Sequence, residues 1–253
     1  MKLDTIEGSN TYFVSNKRAF AGTLISREAI QTVIDFAYEM CFGRGHHRDC
    51  RTGGQYGRKG GEKFCNTFQG KLAEIVLHNY LKSEDLAVKE PDFGIYKEGI
   101  WDDSDLEIQG KKINVKSAAF QSNLLLLETK DWNAQAQYIP NLLLNKAVTV
   151  SYDYFVLVRI QPDIKKLFKA ERLFLNNEID RKTIEDMILA NDWYFDIAGY
   201  CTNANIITTI ANGNILPQNA MLNQYTKMDA SNYYIQSGDM KCIKDLVLEL
   251  KTI

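Results

Sequence analysis

Residues 105–117, DLEIQGKKINVKS, constrain the fold of this chain more than any other stretch. Apolar residues alternate with polar ones on both sides of Gly110. This alternation predicts two short β-strands joined by a tight turn at Gly110 and Lys111. Because successive side chains of a strand point to opposite faces, Asn114 and Lys116 should project together.

The polar groups of this hairpin suit a divalent metal ion. Asp105 needs only to lie on the adjoining strand to meet Asn114 and Lys116. Mg²⁺ prefers octahedral oxygen ligands and usually takes one or two carboxylates together with substrate phosphate oxygens. Asp105 is the natural first ligand, while the Lys116 ammonium can orient a water or stabilise charge that develops on phosphorus oxygens. The pattern therefore predicts phosphodiester hydrolysis.

In these residues the chain resembles the PD-(D/E)XK nuclease superfamily, in particular the type II restriction endonucleases. The resemblance implies that Asp105 is the first acid of the motif, that Asn114 stands at the second, and that Lys116 is the lysine. It also implies that the main-chain carbonyl of Val115 is a further metal ligand. The matching stretch covers roughly residues 69–160.

A glutamate on a preceding helix often completes this motif. An amphipathic helix is predicted over residues 69–81, and the resemblance implies that Glu74 on this helix joins the metal site. Asn114 departs from the family pattern, since an amide oxygen can bind a metal but carries no charge. Glu74 or Glu107 is expected to provide the missing negative charge. The sequence does not decide whether the site holds one metal ion or two.

Residues 43–63 form a second notable stretch, rich in glycine and basic side chains. Glycines let backbone amides approach a phosphate closely, and arginines can neutralise phosphates or bond to guanine. We therefore predict DNA binding by a set of five basic residues, namely Arg44, Arg48, Arg51, Arg58 and Lys59. The alternative is a solvated surface loop.

Five possible zinc ligands gather in the same region: Cys41, His46, His47, Cys50 and Cys65. Structural zinc usually shows two close ligand pairs, which this spacing lacks. The chain has five cysteines, an odd number without a Cys-X-X-Cys pair, so reduced thiols are expected.

The order of predicted helices and strands favours an α/β protein. The chain has 253 residues, of which 45% are hydrophobic and 25% charged, with a net charge of −2, and can bury the core of one domain with elaborations. The resemblance implies one endonuclease domain over residues 1–253, with a restriction-endonuclease-like core, a central mixed sheet flanked by helices and a C-terminal elaboration. Without a signal peptide or a long apolar run, a cytoplasmic protein with no membrane partner is expected.

The flanking segments carry simpler signals. Ser26, Asp180 and Asp239 are each predicted to cap a helix, and residues 148–160 are predicted to form strands. Residues 123–144 have no periodicity that decides their structure. Residues 193–238 are rich in amides that read adenine edges well, which suggests base recognition, although polar β-rich packing is the more usual explanation.

Together these features predict a Mg²⁺-dependent type II restriction endonuclease that cuts double-stranded DNA as a homodimer. A palindromic site cut on both strands matches two active sites related by a twofold axis. Two alternatives remain: a repair or recombination nuclease of the same superfamily, and a DNA-binding module with a degenerate site.

Overall fold

The computed structural model describes residues 1–43, 57–94, 105–143 and 151–253. Its helices are α1 (Arg27–Phe42), α2 (Gly60–Ser83), α3 (Ile139–Leu143), α4 (Ile164–Ala170), α5 (Arg181–Leu189), α6 (Asn203–Ala211) and α7 (Ile243–Lys251). Its strands are β1 (Asp4–Thr5), β2 (Thr11–Phe13), β3 (Thr23–Leu24), β4 (Leu106–Ile108), β5 (Lys111–Ala119), β6 (Leu124–Glu128), β7 (Tyr154–Gln161), β8 (Tyr194–Thr202), β9 (Ile215–Leu216), β10 (Met221–Leu222), β11 (Thr226–Lys227) and β12 (Asn232–Gln236).

A five-stranded sheet with the order β3-β8-β7-β5-β4 forms the centre of the fold. Strands β5 and β7 are parallel, whereas the other neighbours are antiparallel, so the sheet is mixed. Two smaller sheets have the orders β6-β12-β9 and β1-β2-β10-β11. The predicted α/β class, with a mixed sheet flanked by helices, is confirmed.

Strand β7 is buried on both faces, which explains the apolar run from Tyr154 to Val158. Val156 and Val158 face a core built largely from α1, α2, α5 and α7. Phe155 and Leu157 face a second core that includes Leu125 of β6. The central sheet therefore lies between a helical layer and the β6 sheet.

The predicted hairpin is present, as β4 paired antiparallel with β5. Its turn lies one residue earlier than predicted, at Gln109 and Gly110, whose φ angles are 50° and 78°. Positive φ at both central residues is the geometry of a tight hairpin turn that matches strand twist. Lys111 is already the first residue of β5.

Two of the three predicted helix caps are confirmed. The Ser26 hydroxyl accepts a hydrogen bond from the Ala29 amide at the start of α1, and Asp180 accepts one from the Thr183 amide at the start of α5. The third prediction was wrong. Asp239 lies in a 3-10 turn and accepts a hydrogen bond from Asn16, while α7 begins only at Ile243.

Helix α2 is longer than the predicted helix and begins within the glycine-rich stretch. Gly60 and Gly61 lie against the backbone of residues 173–177, and a Cβ atom at Gly60 would come within 2.6 Å of the Asn177 carbonyl oxygen. These two glycines therefore permit close packing within the chain, which is a different role from the phosphate contact expected of them.

The stretch that the sequence left undecided, residues 123–144, contains β6, a 3-10 turn and the short helix α3. Pro140 lies in the first turn of α3. A proline is tolerated there because a backbone N–H at that position would have no partner within the helix. Downstream, the strand expected within residues 148–160 is β7, and residues 144–150 lie outside the described residues. Among the stretches that the structure describes, no helix is both long and apolar enough to cross a membrane.

Candidate active site

A cleft of about 380 Å³ opens where α2 passes the edge of strand β5. Strand β4 pairs with β5 only as far as Ile113, so the edge of β5 beyond that residue faces the cleft. Helix α2 lies beside this edge, and the Gln69 side-chain amide donates a hydrogen bond to the Ser117 hydroxyl at 3.4 Å. The hairpin and the helix thus form two walls of one cavity.

The structure brings the five residues predicted for the metal site together in this cleft. They are Glu74 from α2, Asp105 before β4, and Asn114, Val115 and Lys116 from β5. That Asn114 and Lys116 meet agrees with the strand alternation, because the side chains of Ile113 and Val115 pack against the helical core. Glu107, the other candidate for the missing charge, does not line the cleft.

Asp105 takes the place of a strand partner at the open edge of β5. Its Oδ2 atom accepts a hydrogen bond of 2.7 Å from the Val115 amide. In a β-ladder the N–H and C=O groups of one residue point to the same side. The Val115 carbonyl therefore also faces this edge, beside the Asp105 carboxylate, as the metal-ligand prediction requires.

Asp105 and Lys116 interact electrostatically, and the surrounding protein desolvates both. Burial raises the pKa of Asp105, while the nearby Lys116 ammonium, the Val115 amide and Lys71 act in the opposite direction. Burial likewise lowers the pKa of Lys116, against the attraction of Asp105 and of Asp131 and Glu128. Opposite shifts of this kind are common at functional sites.

Asn114 supplies the most informative atom of the cleft. Its side chain is only 5% exposed, and the buried Oδ1 atom has no hydrogen-bond partner among the described residues. A buried amide oxygen without a partner is costly in a folded protein, and such atoms are rare. A cation bound in the cleft would satisfy this oxygen.

Sequence reasoning missed Lys71, which also lines the cleft. This lysine is only 6% exposed, and its ammonium lies 2.5 Å from the Glu74 carboxylate. It also donates a hydrogen bond to the Asp92 carbonyl oxygen at 2.9 Å and lies 5.1 Å from the centre of the Phe36 ring. The spacing of three residues between Lys71 and Glu74 on a helix was the signal that could have revealed this pair.

Glu128 and Asp131 were also missed. They line an adjoining cavity, also of about 380 Å³, that shares Val115, Lys116 and Tyr138 with the cleft. Both acids lie near Lys116 because β6 and the turn after it line this adjoining cavity. The sequence offered no local signal for that packing. Both carboxylates favour the charged form of Lys116, as Asp105 does.

The donor set of the cleft suits a magnesium ion that also binds substrate. It consists of two carboxylates, one amide oxygen and one backbone carbonyl, and Mg²⁺ is typically held by one or two carboxylates with phosphate oxygens and water. Within residues 1–43, 57–94, 105–143 and 151–253, no group of three or more His, Cys, Asp or Glu side chains could hold a metal. The fit therefore depends on Asn114, on Val115 and on the substrate.

Of the five possible zinc ligands, the structure places Cys41 and Cys65. The Cys41 thiol lies 3.4 Å from the Thr67 hydroxyl, and burial raises the pKa of Cys41 to about 11 and that of Cys65 still further. His46, His47 and Cys50 lie outside the described residues.

The predicted DNA-binding residues are only partly covered by the structure. Arg44, Arg48 and Arg51 lie outside the described residues, whereas Arg58 and Lys59 immediately precede α2. Base recognition by residues 193–238 stays a prediction.

Comparison of the chain with models of known protein families, with curated proteins and with solved structures found no match. The interpretation of the cleft therefore depends on its own residues.

Proposed function

We propose that this protein hydrolyses phosphodiester bonds in double-stranded DNA with the help of Mg²⁺. The observation that carries the proposal is the convergence of Glu74, Asp105, Asn114 and Lys116 on one cleft, where the Asn114 Oδ1 atom is buried and has no partner among the residues that the structure describes. Oxygen donors beside an ammonium are the arrangement that metal-assisted phosphate hydrolysis needs.

The residues of the cleft have distinct roles in this proposal. Asp105, Glu74, the Asn114 amide oxygen and the Val115 carbonyl would hold the ion. When bound, Mg²⁺ would polarise a phosphate oxygen and lower the pKa of a bound water. Lys116 would orient the attacking water or donate a hydrogen bond to the phosphate oxygen on which negative charge grows.

The chain order of α2 and the β4–β5 hairpin supports a restriction-endonuclease-like core, because the resemblance implies a helix glutamate ahead of the hairpin. We propose a type II restriction endonuclease that acts as a homodimer, because two equivalent sites would cut both strands of a palindrome. Arg44, Arg48, Arg51, Arg58 and Lys59 would grip the DNA backbone.

Binding of the DNA backbone by these basic residues predicts that DNA affinity depends on salt. Lys59 lies roughly 16 Å from Gly70 along the α2 axis, at about 1.5 Å per residue, so one duplex can contact both the basic stretch and the cleft. Contacts between basic side chains and phosphates release counterions, and DNA affinity should therefore fall steeply as salt rises. An affinity that does not change with salt would exclude this role.

Incubation of the purified protein with supercoiled plasmid and Mg²⁺ tests the proposal. Discrete fragments would support a restriction endonuclease, whereas a smear or nicking would indicate a nuclease that responds to DNA structure or damage. Lys116→Ala should remove cleavage but keep DNA binding, and Lys130→Ala is the matched control, since Lys130 is exposed and outside the cleft. Intact plasmid with wild-type protein would overturn the nuclease proposal.

A further inference from the structure

The charged side chains of the cleft balance one another before any metal arrives. Among the described residues that line it, Lys71 and Lys116 carry two positive charges, and Glu74 and Asp105 carry two negative charges. The net charge of these four side chains is zero. Transfer of a proton from Lys116 to Asp105 would not change this sum. The uncharged Asn114 at the second motif position adds nothing to it.

Lys71 is held firmly in this arrangement. Its ammonium is fixed by Glu74, by the Asp92 carbonyl oxygen and by the faces of the Phe36 and Phe93 rings, whose centres lie 5.1 and 5.6 Å away. A lysine is seldom this buried unless it is paired. Rotation of the ammonium out of the cleft would break these contacts together, so Lys71 stays beside Glu74 when a cation approaches.

A divalent ion that enters the cleft without DNA would therefore meet a Glu74 carboxylate already paired with the Lys71 ammonium, and an Asp105 carboxylate beside the Lys116 ammonium. Glu128 and Asp131 offset part of the charge on Lys116 from the adjoining cavity, but they do not line the cleft and do not change the pairing of Glu74 with Lys71. A bound DNA phosphate would change the balance, since it brings negative charge and oxygen ligands to the same place.

We infer that Lys71 is a resident counter-ion that makes metal binding in the cleft depend on bound nucleic acid. The inference rests on the proposed function and adds a regulation to it: without DNA, the ion binds weakly and no metal-activated water is held ready. By thermodynamic linkage, DNA must tighten the metal by the same factor by which the metal tightens DNA.

Calorimetric titration with Ca²⁺, which should occupy a Mg²⁺ site without supporting cleavage, tests this coupling. The wild type is titrated alone and with a mixed-sequence duplex, beside Lys71→Met, which keeps length and removes charge, and Lys71→Arg, which keeps charge. We expect DNA to tighten Ca²⁺ binding to the wild type roughly 10-fold or more, within the usual range of coupling between sites. Lys71→Met should bind Ca²⁺ without DNA about as tightly as the wild type does with it, whereas Lys71→Arg should retain the dependence.

Equal Ca²⁺ affinity of the wild type with and without DNA would overturn the inference, as would unchanged DNA-free affinity in Lys71→Met. If Lys71→Met fails to fold, Lys71→Gln takes its place with the same expected result, and the wild-type DNA affinity at low and high Ca²⁺ checks independently that the coupling exists. The plasmid assay separates the two proposals. A protein that cuts plasmid but shows no coupling refutes only the role of Lys71, and a protein that does not cut refutes the nuclease as well.

Discussion

Two acid–base pairs on the central sheet illustrate different uses of charge. Arg159 of β7 is fully buried, and all five of its N–H donors have acceptors: both oxygens of Asp196, the carbonyls of Arg18 and Ala19, and the Asn123 side chain. This network fixes the chain before β3 onto the sheet. Nothing in it is left for a ligand.

The pair formed by Asp105 and Lys116 is different. Both side chains reach the cleft, the neighbouring Asn114 Oδ1 atom has no partner in the described part of the chain, and burial shifts both pKa values toward the neutral forms. A satisfied network stabilises a fold, whereas open polar atoms around desolvated charges are characteristic of a binding site. The comparison can be tested by disrupting each pair.

The largest effect on stability is expected for Arg159→Leu. This change leaves the Asp196 carboxylate buried without its partner, and removal of one member of a buried ion pair typically costs about 3–5 kcal/mol. Urea denaturation followed by circular dichroism measures the free energy of unfolding. A loss smaller than that caused by Lys116→Met would contradict the structural role of Arg159.

Lys116→Met should affect chemistry more than folding. Loss of one group that stabilises transition-state charge typically lowers the turnover rate about 10²–10³-fold. The free energy of unfolding should change less than in Arg159→Leu, because the cleft admits water to Asp105. Single-turnover cleavage and DNA binding in Ca²⁺ measure the two properties, and a mutant that cuts at the wild-type rate would refute the site assignment.

Asn114→Asp sharpens the comparison between the two pairs, because it places a negative charge at the position of the Asn114 Oδ1 atom. If this oxygen binds metal, the Mg²⁺ concentration for half-maximal cleavage should fall by about tenfold, equivalent to about 1.4 kcal/mol. Without metal the variant should be less stable, since a second carboxylate would be buried near Asp105. Loss of cleavage in a correctly folded variant would instead indicate that the Asn114 amide contacts DNA.

The smallest effect is expected for Gly70→Ala. Gly70 lies within α2 on the cleft wall, and a Cβ atom there would meet no atom of the described residues within 4 Å. Alanine should therefore stabilise the helix by about 1 kcal/mol relative to glycine. Thermal unfolding with and without duplex DNA checks this, and destabilisation would show that the space above Gly70 is already filled by the chain itself.

The local features of the site were predictable from sequence, whereas its electrostatics were not. Strand alternation was enough to bring Asn114 and Lys116 to one face, because each residue's direction follows from its neighbours. The turn was misplaced by one residue because Gln109, a residue without special turn preference, adopts positive φ. The contribution of Glu128 required knowledge of where β6 packs, which depends on contacts distant in sequence.

Helix ends show the same division. Asp180 caps the helix that directly follows it, so a local signal was sufficient. Asp239 resembles a cap in sequence but is held by Asn16, which lies more than two hundred residues earlier in the chain. Local patterns identify elements and the faces of strands, and long-range pairing then decides which polar side chains stay available.

The most direct test of the central claim is the rate of plasmid cleavage by the wild type and by Asp105→Asn, each with Mg²⁺ and with EDTA. Asp105→Asn keeps the shape of the side chain and its acceptor for the Val115 amide but removes the charge that would hold the ion. We expect cleavage only by the wild type with Mg²⁺, with both proteins equally folded and, in EDTA, equally able to bind duplex DNA. Cleavage by folded Asp105→Asn at the wild-type rate, or by the wild type in EDTA, would contradict a metal-dependent site in this cleft.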